Sequence, residues 1–211
     1  MFPISNGVNP IDKLSQYFAK FPGIGERQAK RFVYFLLSSN KDYVSELTHL
    51  ISELKKQTSQ CKMCFKHFEY PDREFCEICI GKNTDKSLLM VIEKDADYES
   101  MKKSGTYGGN YFILGGLVPI TEKDTEKRIR IRELLQRVEK DLKENGLKEI
   151  IIAMSLNPHG EHTDIYIRKM LSPLQEKYSF KISSLGRGLS TGTELEYSDS
   201  DTIKNALKNR Q

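Results

Sequence analysis

Two Cys-x-x-Cys pairs, Cys61/Cys64 and Cys76/Cys79, stand eleven residues apart in a chain that has no other cysteine. Each pair forms a knuckle that turns two thiolates toward one point, and two knuckles complete a closed tetrahedral S4 site. The spacing therefore predicts a loop-built module over residues 58–83 held around one structural Zn2+ per chain. An iron–sulfur cluster takes the same four donors and is the alternative occupant. A redox pair would need a thioredoxin-like βαβ context, which the flanking sequence lacks. Phe65, Phe68, Phe75 and Ile78 are the expected minimal core of the module, with His67 on an exposed loop. The first residues, Met1-Phe2-Pro3-Ile4-Ser5-Asn6-Gly7, carry no basic and apolar leader. No apolar run approaches the ~18 residues of a membrane span. The expected location is the cytoplasm, where thiols stay reduced and favour metal over disulfide.

The sequence on either side of the module differs in texture. Before it, Ile11, Leu14 and Phe18 recur at helical spacing, as do Ala29, Phe32, Val33 and Leu36. A third helix is expected over about 43–57, with Val44, Leu47, Ile51 and Leu54 on one face. After it, the apolar runs Leu88–Ile92, Tyr111–Leu114 and Ile150–Met154 read as strands buried on both faces. Helical segments over about 95–104, 123–145 and 161–176 separate or follow them, the last interrupted or ended near Pro173; Phe180-Lys181-Ile182 is a candidate fourth strand. Strands alternating with helices imply right-handed crossovers and a parallel sheet. The fold class is thus α+β and multidomain, with an N-terminal helical unit (1–57), a four-cysteine module (58–83), an α/β domain (84–185) and a C-terminal segment (186–211). With 38% hydrophobic and 29% charged residues, the chain is neither disordered nor fibrous.

Between the first two helices lies Phe21-Pro22-Gly23-Ile24-Gly25. Two glycines one residue apart allow a tight turn, and without Cβ atoms a phosphate can approach the main chain. The helix that follows offers free N–H groups at its start, and Arg27, Lys30, Arg31 and Tyr34 fall on its face opposite the apolar one. This pattern looks like a helix-hairpin-helix, a clamp for the DNA backbone without sequence preference. The ordinary alternative is a helical turn. Charge fits the first reading: the whole chain has 33 Lys/Arg against 29 Asp/Glu (+4), and residues 1–60 alone hold eight against five (+3).

Glu93 follows the first strand directly, where ligand-handling groups collect in open α/β sheets. The third strand runs into Ser155-Leu156-Asn157-Pro158-His159-Gly160-Glu161-His162, so Glu161 is expected to share a crevice with Glu93, or both are capping or rim carboxylates. His159, Glu161 and His162 are a possible metal set or an exposed turn. Two-metal phosphoryl chemistry needs several converging carboxylates, yet Ser155 and Asn157 stand where an Asp-x-Asp pair would be expected. Asp95 and Asp97 read as the start of a helix. The glycine-rich stretch Gly186–Gly192 lacks the lysine of a phosphate loop. The expectation is therefore a binding protein, the alternative a Mg2+-dependent nuclease or primase-type enzyme.

Taken in order, these parts resemble the RecR family of bacterial recombination mediators over nearly the whole chain. The residues that carry it are Phe21–Gly25 with Ala29 and Arg31, the four cysteines, Val91-Ile92-Glu93 with Ala96-Asp97, Tyr111–Gly116, Gly160-Glu161, and Gly188–Glu196. The resemblance implies that the α/β unit is a Toprim domain used for binding, that the protein forms a ring-like homotetramer around DNA, and that it acts with RecO and RecF to load RecA on gapped single-stranded DNA. It implies DNA contact by Arg27 and Arg31, a RecO contact through Glu93 and Glu161, and a Walker-B-like C-terminal segment that helps ring assembly. The chain departs from the family's usual Asn-Pro-Thr-Val-Glu-Gly-Glu loop, placing His159 where an acid is common, and shortens the loop after Gly116.

Overall fold

The computed structural model describes residues 9–120, 128–186, 188–189, 192 and 194–209. The chain divides into two compact units, Met1–Thr58 and Ser59–Gln211.

The first unit holds α1 (Pro10–Phe18), α2 (Glu26–Ser38) and α3 (Lys41–Gln57). Asn9 caps α1, its side chain accepting from the Ile11 N–H at 3.1 Å, and Pro10 fills the first helical position, where no N–H is needed. Asn40 caps α3 in the same way, accepting from the Tyr43 N–H at 2.7 Å, so that helix starts two residues before the apolar spacing places it. Phe18 of α1 meets Phe32 of α2 edge to face at 5.8 Å, while Ala29 and Val33, one turn apart, are buried.

Strand β1 (Thr58–Gln60), whose last two residues open the second unit, pairs with β2 (His67–Glu69) and is followed by the single-turn helix α4 (Glu77–Ile80). The module thus has more regular structure than its sequence suggests, and His67 lies on a strand rather than a loop. Then come β3 (Asp85–Ile92), α5 (Asp95–Ser104), β4 (Gly109–Ile113), α6 (Ile131–Glu144), β5 (Glu149–Ala153), α7 (Pro158–Lys177), β6 (Lys181–Ser184), a 3-10 turn at Leu195–Tyr197 and α8 (Ser200–Lys208). The helix expected from residue 123 is observed from Ile131; residues 121–127 lie outside the described ones. α7 does not stop near Pro173. The proline sits on the exposed side, while Ile167, Leu171 and Leu174 pack into the core on both sides of it and hold the axis through the lost amide bond.

The four long strands are all parallel, in the order β4-β3-β5-β6. The order reverses between β3 and β5, which makes their carboxyl ends the topological switch point. Alternation along β3 divides the core. Leu89 and Val91 join Leu134, Val138, Ile167 and Leu171 of α6 and α7 on one face. Met90 and Ile92 join Tyr98 of α5 on the other. Each fully buried side chain of this kind contributes about 1.5–3 kcal/mol.

The cysteine module is docked on this domain. The Ile113 N–H of β4 donates to the Cys64 carbonyl at 2.8 Å. Lys66 is buried, its ammonium 4.3 Å from the Tyr98 ring centre and 3.0 Å from Glu77. Phe65 departs from expectation. Left-handed backbone at φ 63° turns it out of the module's own core and onto Phe112, edge to face at 5.4 Å. Phe68, Phe75 and Ile78 stay with the cysteines, joined by Met63.

Candidate nucleic-acid interface and metal centre

The turn between α1 and α2 is closed by two backbone bonds, Phe21 N–H to Phe18 carbonyl at 3.0 Å and Ile24 N–H to Phe21 carbonyl at 3.1 Å. Gly23 takes φ +76°, the left-handed region that glycine enters freely. Apart from its immediate chain neighbours, nothing comes within 4 Å of where a Cβ would stand on Gly23 or on Gly25. Gly25 is the N-cap of α2 and contributes no side chain, so the first-turn amides and the positive end of the helix dipole are left uncapped. Arg27, Lys30, Arg31 and Tyr34 are exposed; Phe32 and Leu36 are half-buried on the opposite face. Lys30 lies 3.7 Å from Asp12, and Arg31 donates to the Gln28 side chain at 3.4 Å. Chemically this is an open main-chain surface beside cations, suited to phosphate oxygens and blind to base identity.

All four cysteines are buried, and their sulfurs lie within 4.8 Å of one another. Cys64 Sγ and Cys76 Sγ are 3.6 Å apart, against the about 3.8 Å edge of a tetrahedron of thiolates around zinc. The Cys76 N–H donates to Cys61 Sγ at 3.4 Å, the kind of bond that steadies a thiolate ligand. Cys61 is held far below the ordinary thiol range by hydrogen bonds from Cys64, Cys76 and Cys79. Cys64 and Cys79 are pushed up by their bonds to Cys61 and by burial. Four thiols so placed cannot all ionise without a cation, and a divalent ion would displace every proton. The donor set fits a metal and leaves no open position for a substrate. Among the described residues no other set of three or more His, Cys, Asp or Glu ligand atoms converges, so His159, Glu161 and His162 do not gather into a metal site.

At the switch point the Ser155 hydroxyl donates to Glu93 Oε2 at 2.8 Å, and Lys94 Nζ lies 3.8 Å from Oε1. Asn157 caps α7, accepting from the Gly160 N–H at 2.9 Å. Gly160 is pressed against the Ser155 main chain, where a Cβ would stand 1.9 Å from the carbonyl oxygen. Glu161 is exposed on the first turn of α7. The two aspartates after β3 have structural work: Asp97 accepts from the Lys94 N–H at 3.1 Å, and Asp95 holds His67 through its main-chain N–H at 2.8 Å and its Nδ1 at 3.0 Å.

Comparison with known proteins decides what these parts amount to. Residues 11–55 match the model described as RecR, helix-hairpin-helix; residues 87–185 match that of a Toprim domain; residues 188–211 match RecR, C-terminal. "Recombination protein RecR" of Dehalococcoides mccartyi is 34% identical over 201 residues, covering 95% of this chain and 93% of its own length. The proteins of that name from Chloroherpeton thalassium and Carboxydothermus hydrogenoformans are each 33% identical over 202 residues, with at least 95% of either chain covered. This chain belongs to the RecR family. The N-terminal hairpin is thus a helix-hairpin-helix and the α/β unit a Toprim domain, with the first cysteine knuckle hydrogen-bonded to β4 and α6 of that unit.

Within this RecR-family architecture, some polar residues escape a reading of the sequence alone. Arg137 and Asp141 of α6 are both buried, and Arg137 Nη1 donates to the Met63 carbonyl inside the first knuckle at 3.2 Å. Their signal is phase: Leu134, Arg137, Val138 and Asp141 stand at i, i+3, i+4 and i+7, so two charges occupy the apolar stripe. Arg187, Ser190 and Thr191 of the glycine-rich C-terminal stretch lie outside the described residues.

Proposed function

We propose that this chain is a DNA-binding recombination mediator in recombinational DNA repair. It acts in the cytoplasm with RecO and RecF to load RecA on gapped single-stranded DNA, and it is not an enzyme. The observation that carries this reading is the uncovered hairpin, with Gly23 and Gly25 open to approach and Arg27, Lys30 and Arg31 beside it. Amides and cations contact the sugar-phosphate backbone of single or double strands, so affinity falls steeply with salt and varies little with sequence. One hairpin is a small site. A homotetrameric ring presents four, and raises avidity without new contacts.

The four cysteines hold one Zn2+ per chain. Bound there, the ion supplies a structural cross-link and no reacting water, since thiolates fill its coordination. Glu93 and Glu161 form the acidic end of the Toprim sheet that meets RecO. Metal-dependent cleavage is the rival reading, and two features weigh against it: Ser155 and Lys94 already engage Glu93, and Ser155 and Asn157 stand where a second acidic pair would be needed.

The deciding experiment is a DNA-binding titration across salt, with and without Mg2+, scoring both complexes and products. Binding that weakens with salt, disappears in Arg27→Glu/Arg31→Glu and leaves DNA intact supports the proposal. Full binding by that double variant at low salt removes the hairpin from the account. Mg2+-dependent nicking that Glu93→Gln abolishes makes the protein an enzyme.

A further inference from the structure

We propose that Arg137 is a positioning residue of the four-cysteine metal centre, one guanidinium on α6 that clamps the main chain of the first knuckle and sets a buried positive charge beside the tetrathiolate. This rests on the reading that the cluster holds a divalent ion.

The side chain is 6% exposed and Asp141 beside it 1%. Nε donates to Asp141 Oδ2 at 2.6 Å, and Asp141 Oδ1 accepts from the Asn145 side chain at 2.8 Å, so the plane of the guanidinium is set from behind. Nη1 donates to the carbonyl of Met63, which lies between Cys61 and Cys64. A single planar cation therefore joins the first knuckle to the Toprim helix.

Packing alone does not call for an ion pair at this position. Buried salt bridges are often no more stabilising than apolar residues of similar size. The site's own charge does call for one: four thiolates and a divalent ion carry a net charge of −2, and burying it without donors is costly. Groups that hold a ligand's surroundings in place orient it on the metal, and their removal typically weakens metal binding 10–100-fold. Arginine suits the task because it donates to Asp141 and to Met63 at once; lysine is a point charge without that fork.

The test uses the full chain, purified with zinc under reducing conditions, and three variants: Arg137→Met, Arg137→Lys and Asp141→Asn. Zinc transfer to a chromogenic chelator and Co2+ titration of the thiolate charge-transfer band measure metal affinity. Circular dichroism follows unfolding of the metal-loaded and metal-free forms. Arg137→Met is expected to stay folded and lose metal 10–100-fold more readily, with the gap between loaded and metal-free melting temperatures narrowed. Arg137→Lys should fall between it and the parent, and Asp141→Asn should weaken binding by releasing the guanidinium. Metal affinity within about twofold of the parent for Arg137→Met, or equal destabilisation of both forms, overturns the proposal and leaves a packing role. Should Arg137→Met fail to fold, unchanged affinity in both Arg137→Lys and Asp141→Asn overturns it equally. A parent chain that takes up no metal refutes the reading of the centre itself, a different failure from unchanged affinity in the variants.

Discussion

Ser155 donates its hydroxyl to the Glu93 carboxylate at 2.8 Å, tying the carboxyl end of β3 to the loop that leaves β5, at the place where the strand order reverses. Glutamine at position 93 keeps the acceptor and removes the charge. Glu93→Gln is therefore expected to leave DNA affinity unchanged and to produce no change in plasmid integrity with Mg2+. It should weaken RecO binding by tenfold or more, the scale of a lost charge-assisted contact. Calorimetry with RecO and a plasmid-nicking assay check the two halves.

The two hairpin glycines separate strain from access. Gly23 has φ +76°, so Gly23→Ala is expected to cost about 1–2 kcal/mol of stability. Gly25 has φ −84° and open space around it, so Gly25→Ala should cost no more than about 0.5–1 kcal/mol as a poorer helix cap. Its methyl stands where a phosphate would approach, and DNA affinity should fall all the same. Thermal melting set beside fluorescence anisotropy distinguishes them. Parent-like DNA binding by Gly25→Ala would count against close main-chain contact.

Gly160 has no room for a side chain, since a Cβ would lie 1.9 Å from the Ser155 carbonyl oxygen. Gly160→Ala must push the β5–α7 loop away and with it the Ser155 hydroxyl on Glu93. The expected loss is about 1–3 kcal/mol in urea unfolding, the range for overpacking a fixed backbone.

Glu149 on β5 accepts from Ser183 Oγ at 2.6 Å and pairs with Lys181 Nζ at 3.0 Å, both on the edge strand β6. The Ser183 bond, then Lys181, hold its carboxyl below the ordinary glutamate range. A depressed folded-state value stabilises the fold above the unfolded value of about 4.3, and that contribution is lost as pH falls through the folded one. Glu149→Gln is expected to cost about 0.5–1 kcal/mol at pH 7 and to converge on the parent once pH has fallen below the folded-state value. Urea titrations of both proteins from pH 7 downward measure the difference.

Much of the fold is legible along the chain because its signals are local. The apolar runs at Leu88–Ile92 and Ile150–Met154 announce buried strands, and Ala29 and Val33 announce a buried helix face. Cysteine spacing alone predicts the cluster that the structure assembles. The misplacements share a cause. Phe65 reads as module core until a left-handed residue turns it onto Phe112, and His67 reads as loop until Asp95, 28 residues on, holds it against the domain.

What the sequence by itself determined is periodicity and chemistry: where strands and helices run, where the glycines permit a hairpin, and which four sulfurs converge. Tertiary structure decided adjacency. It set β5 beside β3, so that Glu93 meets Ser155, and laid α6 against the first knuckle, so that Arg137 reaches a carbonyl 74 residues away. A local pattern records which side of an element is apolar, but not which distant element covers it. A charge in an apolar stripe acquires its meaning only when burial leaves it one set of partners.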